Sequence, residues 1–100
     1  MPLYLSFYSS FERSLKNLGY EQKEIVERIL QALQAYYNSN CDLSKAQEIE
    51  PRFFYKQLRK PYYEAGIEGK LRIVIERDKS ECTAVIVGNH DQVRKFLNEN

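Results

Sequence analysis

The side chains best suited to chemistry in this sequence are its one histidine, His90, and the cations of its C-terminal half. An imidazole with an unperturbed pKa of about 6.5 takes or gives a proton near neutral pH. A guanidinium stays ionised and its planar fork engages two oxygens of an oxyanion at once, which suits Arg72 to steadying charge that develops on such a group. Residues 52–60 carry Arg52, Lys56, Arg59 and Lys60 and no acid. A positive field therefore survives there although the net charge is only +1, and phosphate would be drawn to it. Residues 1–50 hold five basic and seven acidic groups, whereas residues 51–100 hold ten and seven, so the anion-attracting half is the second. Phe53, Phe54, Tyr55, Tyr62 and Tyr63 interleave with the basic run. The strand aromatics read as core, while Tyr62 and Tyr63, on an expected exposed loop, are the candidates to stack on nucleobases.

Each of these residues also has an ordinary role open to it. A histidine beside Asp91 suits a helix end or the surface, and Arg72 can pair with Glu76 on the same strand face. Lys56 and Arg59 are three apart, so in an unbroken strand they point to opposite faces. At most one then joins Arg72, unless the strand bulges or ends, and the spacing leaves open which.

Cys41 and Cys82 are far apart, no CxxC pair occurs and there is one histidine. No metal site and no cofactor are expected from such a set, and Cys82, inside an apparent strand, reads as a buried, inert thiol. A length of 100 residues fits one domain over 1–100 with one core. With 43% hydrophobic and 29% charged residues, the composition is that of a folded rather than a disordered chain. The first residues lack the cationic lead of a signal peptide, and no apolar run approaches the roughly 20 residues of a membrane span. The expected location is the cytoplasm, with no membrane partner.

The elements that must position the chemistry follow from periodicity. Residues 3–8 alternate Leu3, Leu5 and Phe7 with polar or aromatic neighbours, which predicts a strand. Ser9 and Glu12 have capping-box spacing, Phe11, Leu15 and Leu18 recur at helical spacing, and Gly19 suits a left-handed helix end. From Glu21 to about Tyr37, Ile25, Val26, Ile29, Leu30, Leu33, Tyr36 and Tyr37 form the stripe of a longer helix. The two segments read as a helical hairpin. Residues 41–52 read as a loop closed by Pro51. Three strands are predicted at Phe53–Arg59, Lys70–Arg77 and Cys82–Val87. Pro61, Gly66 and Gly69 make 60–69 a mobile loop, and Asp78-Lys79-Ser80 reads as a tight connection. Asp91 is placed to cap a last short helix with Val93, Phe96 and Leu97 as its stripe. The predicted fold class is α+β, and Leu30, Leu33, Ile73, Ile75 and Val85 are expected to share its core.

The order strand, helical hairpin, three strands, short terminal helix resembles the RelE/ParE toxin superfamily. Phe11-Glu12-Arg13-Ser14-Leu15-Lys16-Asn17-Leu18 looks like the family's first-helix pattern. Lys70-Leu71-Arg72-Ile73-Val74-Ile75 is similar to its "YRIVY" strand, and Val85-Ile86-Val87-Gly88-Asn89-His90-Asp91 with Val93, Lys95 and Phe96 is similar to its closing "VxxVGxHDxVYxFL" segment. The resemblance covers nearly the whole chain. It implies a helical hairpin on one face of a small twisted antiparallel sheet. It also implies a toxin of a type II toxin–antitoxin system that cuts messenger RNA without a metal, with Arg72 and His90 at the cleavage site. Lys56 and Arg59 are implied as phosphate-backbone contacts, which Lys60, Tyr62 and Tyr63 would extend. The implied partners are a cognate antitoxin and messenger RNA, with participation of the ribosome left open. The ParE-like branch implies instead a toxin that binds DNA gyrase and cuts no RNA, and a third reading is a binding protein that keeps the fold without activity. Phe96 stands where the family often has tyrosine, so a role needing that hydroxyl is lost. If strands 70–77 and 82–87 pair around Asp78–Ser80, Arg72 near the start of one lies beside the end of the other, where His90 follows.

Overall fold

Val74 lies between Ile73 and Ile75, and all three side chains are fully buried. Successive residues of a strand point to opposite faces, so the sheet that holds them must be covered on both sides. The structure, a computed structural model, describes residues 3–99. In chain order it runs β1 (Tyr4–Phe7), α1 (Ser9–Lys16), α2 (Tyr20–Asn38), α3 (Leu43–Ile49), β2 (Phe53–Gln57), β3 (Tyr62–Ile67), β4 (Arg72–Asp78), β5 (Glu81–Gly88) and α4 (His90–Glu99). The strands form one five-stranded sheet in the order β1-β5-β4-β3-β2. β2 to β5 are an antiparallel meander, and β1 adds to β5 in parallel. The class is α+β, with four strands rather than three after the helices.

The main core lies between the sheet and the hairpin of α1 and α2. Val26, Ile29, Leu33 and Tyr37 of α2 and Phe11 of α1 meet Phe53, Ala65, Ile73, Ile75, Ala84 and Val87 there, with Leu30 at the margin. The other face carries a smaller core in which Val74 and Val85 lie under Val93, with Phe96 and Leu97 of α4 beside them. Helices therefore cover both faces of the sheet, not one. Val85 parts from Ile73 and Ile75 because the β4–β5 register shifts between Val74 and Ile75: Val74 pairs with Ile86 but Ile75 with Ala84. Such a bulge turns the extra residue out of the expected alternation.

Other local expectations are corrected as well. α1 begins at Ser9 itself with no side-chain cap and ends before Asn17. Gly19 is not left-handed; it precedes α2, and its N–H donates to Gln22 Oε1 at 3.3 Å. Residues 41–52 are not all loop: Asp42 accepts hydrogen bonds from Ser44 N–H at 3.0 Å and Ser44 Oγ at 2.6 Å and so caps α3. The predicted loop at 60–69 holds a strand, β3, flanked by Pro61 and Gly69. Asn89 rather than Asp91 caps α4, since Gln92 N–H donates to Asn89 Oδ1 at 2.9 Å and Asn89 N–H to Gln92 Oε1 at 2.8 Å. Among the described residues no helix is long and apolar enough to cross a membrane.

Candidate functional site

Phe54, Gly66, Arg72 and Gly88 stand in one row across β2, β3, β4 and β5. Row neighbours share a face, here the face opposite the α1–α2 hairpin. Arg72 reaches across the position of Gly66 so that its guanidinium carbon lies 5.1 Å from the centre of the Phe54 ring. A Cβ at Gly66 would sit 2.9 Å from Arg72 Cβ and 2.6 Å from the Leu71 carbonyl oxygen, which is why the strand needs glycine there.

One diagonal step away, Lys56 of β2 pairs in register with Glu64 of β3. Glu64 Oε1 accepts from Arg72 Nη1 at 3.1 Å and lies 3.4 Å from Lys56 Nζ. The same Arg72 Nη1 is 3.3 Å from His90 Nδ1. Arginine has only donors, so in this contact Nδ1 accepts and the imidazole proton sits on Nε2. His90 is exposed, and the reciprocal Asn89–Gln92 bonds fix the helix turn that carries it. Arg72 Nε is buried and has no hydrogen-bond partner among the described residues. Four elements thus bring two cations, one carboxylate and one imidazole to a single point, and without the imidazole the cluster carries a net positive charge.

Of the residues singled out in the sequence, Arg72, His90 and Lys56 meet here. Arg59 does not: β2 ends at Gln57, and Arg59 Nη2 donates to the Leu97 carbonyl at the far end of α4, at 2.7 Å. Lys60 lies outside the cluster, past the end of β2. Tyr62 and Tyr63 are not on an exposed loop. They are half-buried in β3, on opposite faces, with Tyr62 edge-on to Phe96 at 5.3 Å and Tyr63 stacked on Tyr55 at 5.6 Å. Phe54, passed over as core, is the aromatic at the cluster. Arg72 pairs with Glu64 rather than Glu76, which accepts from the Tyr8 hydroxyl instead. Glu64 went unnoticed because its segment carries breakers; a strand over 62–67 would have marked it as a carboxylate in the middle of a sheet. Cys41 and Cys82 are both thiols, and burial pushes the Cys82 thiol up, away from nucleophilic character.

No family model and no curated protein matches the chain. Solved structures do. A chain of the RelB–RelE antitoxin–toxin complex from Methanococcus jannaschii is 19% identical with a TM-score of 0.61, over 91% of this chain and 96% of that one. A copper-bound mutant toxin from Helicobacter pylori is 18% identical with a TM-score of 0.58, over 91% of this chain and 98% of the other. At these identities the likeness is one of backbone path, and over nine-tenths of its length this chain has the RelE-like toxin fold.

Proposed function

We propose that this chain is the toxin of a toxin–antitoxin pair and that it cuts messenger RNA at the Lys56–Glu64–Arg72–His90 cluster. The observation that carries the reading is the buried Arg72, joined through one nitrogen to both a carboxylate and an imidazole and leaving a buried N–H unpartnered. A structural arginine needs the carboxylate alone. An RNA phosphate offers several acceptor oxygens, and the fold is shared with a toxin whose structure is an antitoxin complex, which supports an antitoxin as the protein partner. Binding of gyrase without RNA cleavage would make no use of these four groups.

Cleavage by the RNA's own 2′-hydroxyl requires removal of its proton, charge stabilisation at phosphorus and protonation of the leaving 5′-oxygen. Arg72 and Lys56 are the cations for the phosphate oxygens. When the phosphate draws Arg72 off Nδ1, His90 takes a solvent proton there, and the resulting imidazolium gives its Nε2 proton to the 5′-oxygen. A phosphate that draws Lys56 and Arg72 toward itself uncovers Glu64 as acceptor for the 2′-hydroxyl proton. The products are a 2′,3′-cyclic phosphate and a 5′-hydroxyl. The test is cleavage of messenger RNA in a translating extract, with circular dichroism to confirm folding of each variant. His90→Ala should cut about 10² to 10⁴ times more slowly, and Arg72→Ala should lose cleavage and some RNA binding. Undiminished cutting by His90→Ala removes the imidazole from the mechanism. A well-folded wild type that leaves messenger RNA intact but blocks gyrase supercoiling would move the protein to the gyrase-binding class.

A further inference from the structure

A second group of cations sits at the other end of the sheet. Lys60, Pro61, Tyr63, Arg77 and Lys79 line a cavity of about 340 Å³, where the turn before β3 meets the turn after β4. Arg77 N–H donates to the Pro61 carbonyl at 2.9 Å and ties the two turns together. The Arg77 guanidinium is 5.5 Å from the centre of the Tyr63 ring and lies near the Tyr55 hydroxyl. It is thereby held in place without an acid. Among the described residues none of Lys60, Arg77 and Lys79 forms a salt bridge, no carboxylate lines the cavity, and Asp78 alternates to the other face of β4. Like charges gathered around a concave site repel one another unless an anion enters.

We infer that this cavity binds a backbone phosphate of the same RNA, as an anchor separate from the cleavage cluster. The inference rests on the RNA-cutting reading. Tyr63 is engaged by Tyr55 and Arg77, so it serves as a wall rather than a stacking platform, and the pocket selects charge and not a base. Such contacts position a nucleic acid without reading its sequence. The basic run supplies the path: Lys56 belongs to the cluster, Lys60 to the cavity, and residues 57–59 between them include no acid. Lys56 faces the cluster side of the sheet and Tyr63 and Arg77 the hairpin side. The path therefore passes round the edge strand β2, over four residues that span at most about 14 Å, which one flexible RNA strand can follow. An acidic segment of a protein partner meets the charge of the cavity but has no reason to follow that edge from Lys56.

The variant is Lys60→Gln/Lys79→Gln, which changes two exposed lysines outside the cleavage cluster. Affinity for a non-cleavable, 2′-O-methylated single-stranded RNA is measured against salt. The double variant should show a log–log slope shallower by about 0.7 for the one phosphate released. It should leave cleavage of a dinucleotide, too short to reach the cavity, unchanged. Pyrophosphate should shift the Tyr63 and Arg77 amide signals saturably in the wild type and not in the variant. Equal salt slopes, or no pyrophosphate shift in the wild type, overturn the anchor whether or not the protein cuts RNA. A shallower slope in a protein that cuts nothing supports the anchor and sinks the cleavage reading. Pyrophosphate binding by a wild type with no affinity for RNA overturns both, and leaves the cavity to a carboxylate-bearing partner.

Discussion

The Glu64 side chain is 3% exposed and that of Arg72 9%, whereas that of Lys56 is 59% exposed. The two ion pairs that share Glu64 Oε1 therefore differ in kind. Taking away one member of a buried pair strands the other charge in a medium that solvates it poorly. An exposed lysine simply returns to water. Glu64→Ala should cost about 3 to 5 kcal/mol in a reversible urea titration, and Lys56→Ala less than about 1 kcal/mol. A Glu64→Ala loss as small as that of Lys56→Ala would mean that Arg72 reaches solvent and that the cluster is not preassembled. The same asymmetry separates the two partners: Lys56 can swing away at little cost, while Glu64 holds Arg72 beside His90.

At the scale of elements, the short helix α3 depends on its first residue. Hydrogen bonds from the Ser44 hydroxyl, and then from its amide, hold the Asp42 carboxyl below its usual value of 3.8. A carboxyl whose folded pKa is depressed stabilises the fold fully above its unfolded value and loses that contribution as pH falls through the folded one. The cap of α3 should accordingly persist to below pH 3.8 and release only under stronger acid. The Ser44 amide signal followed by NMR should titrate with a midpoint below 3.8; a midpoint at or above that value would show the cap unformed in solution. α4 is held differently, by the reciprocal Asn89–Gln92 bonds at one end and Arg59 at the other. His90 depends on that docking for its place beside Arg72.

For the whole molecule, the division of the core between two sheet faces sets what each side can tolerate. Leu33 is fully buried between the α1–α2 hairpin and the sheet. Leu33→Ala removes its transfer energy and leaves a cavity, so it should cost about 2 to 5 kcal/mol. A loss under about half a kcal/mol in reversible denaturation would contradict this packing. The second core is smaller and sits under α4 alone. The larger core can thus hold the sheet in place while the opposite face leaves Lys56 and His90 exposed beside the buried Arg72.

What the sequence determined by itself is what neighbouring residues encode. The stripe Val26, Ile29, Leu33, Tyr37 specifies α2, and the alternation around Ile73 and Ile75 specifies β4. The turn at Asp78–Ser80 brings β5 back beside β4, so that Gly88 pairs with Arg72 and His90 follows. The nearness of Arg72 and His90 was legible on that basis, whereas Lys56 and Arg59 stood as alternatives beside them. β3 was not legible, because Pro61, Gly66 and Gly69 read as breakers, and the need for glycine at 66 comes from an arginine on another strand. α3 was missed because seven residues with one buried side chain, Ala46, show no period. Tertiary structure decided that Glu64, not Glu76, pairs with Arg72, that Phe54 and not Tyr62 or Tyr63 lies at the cluster, and that Lys56 joins it while Arg59 turns to α4. Periodicity is a local property of the chain, whereas the partner of a buried charge depends on which strands lie side by side and in what register, and packing of the whole sheet sets both.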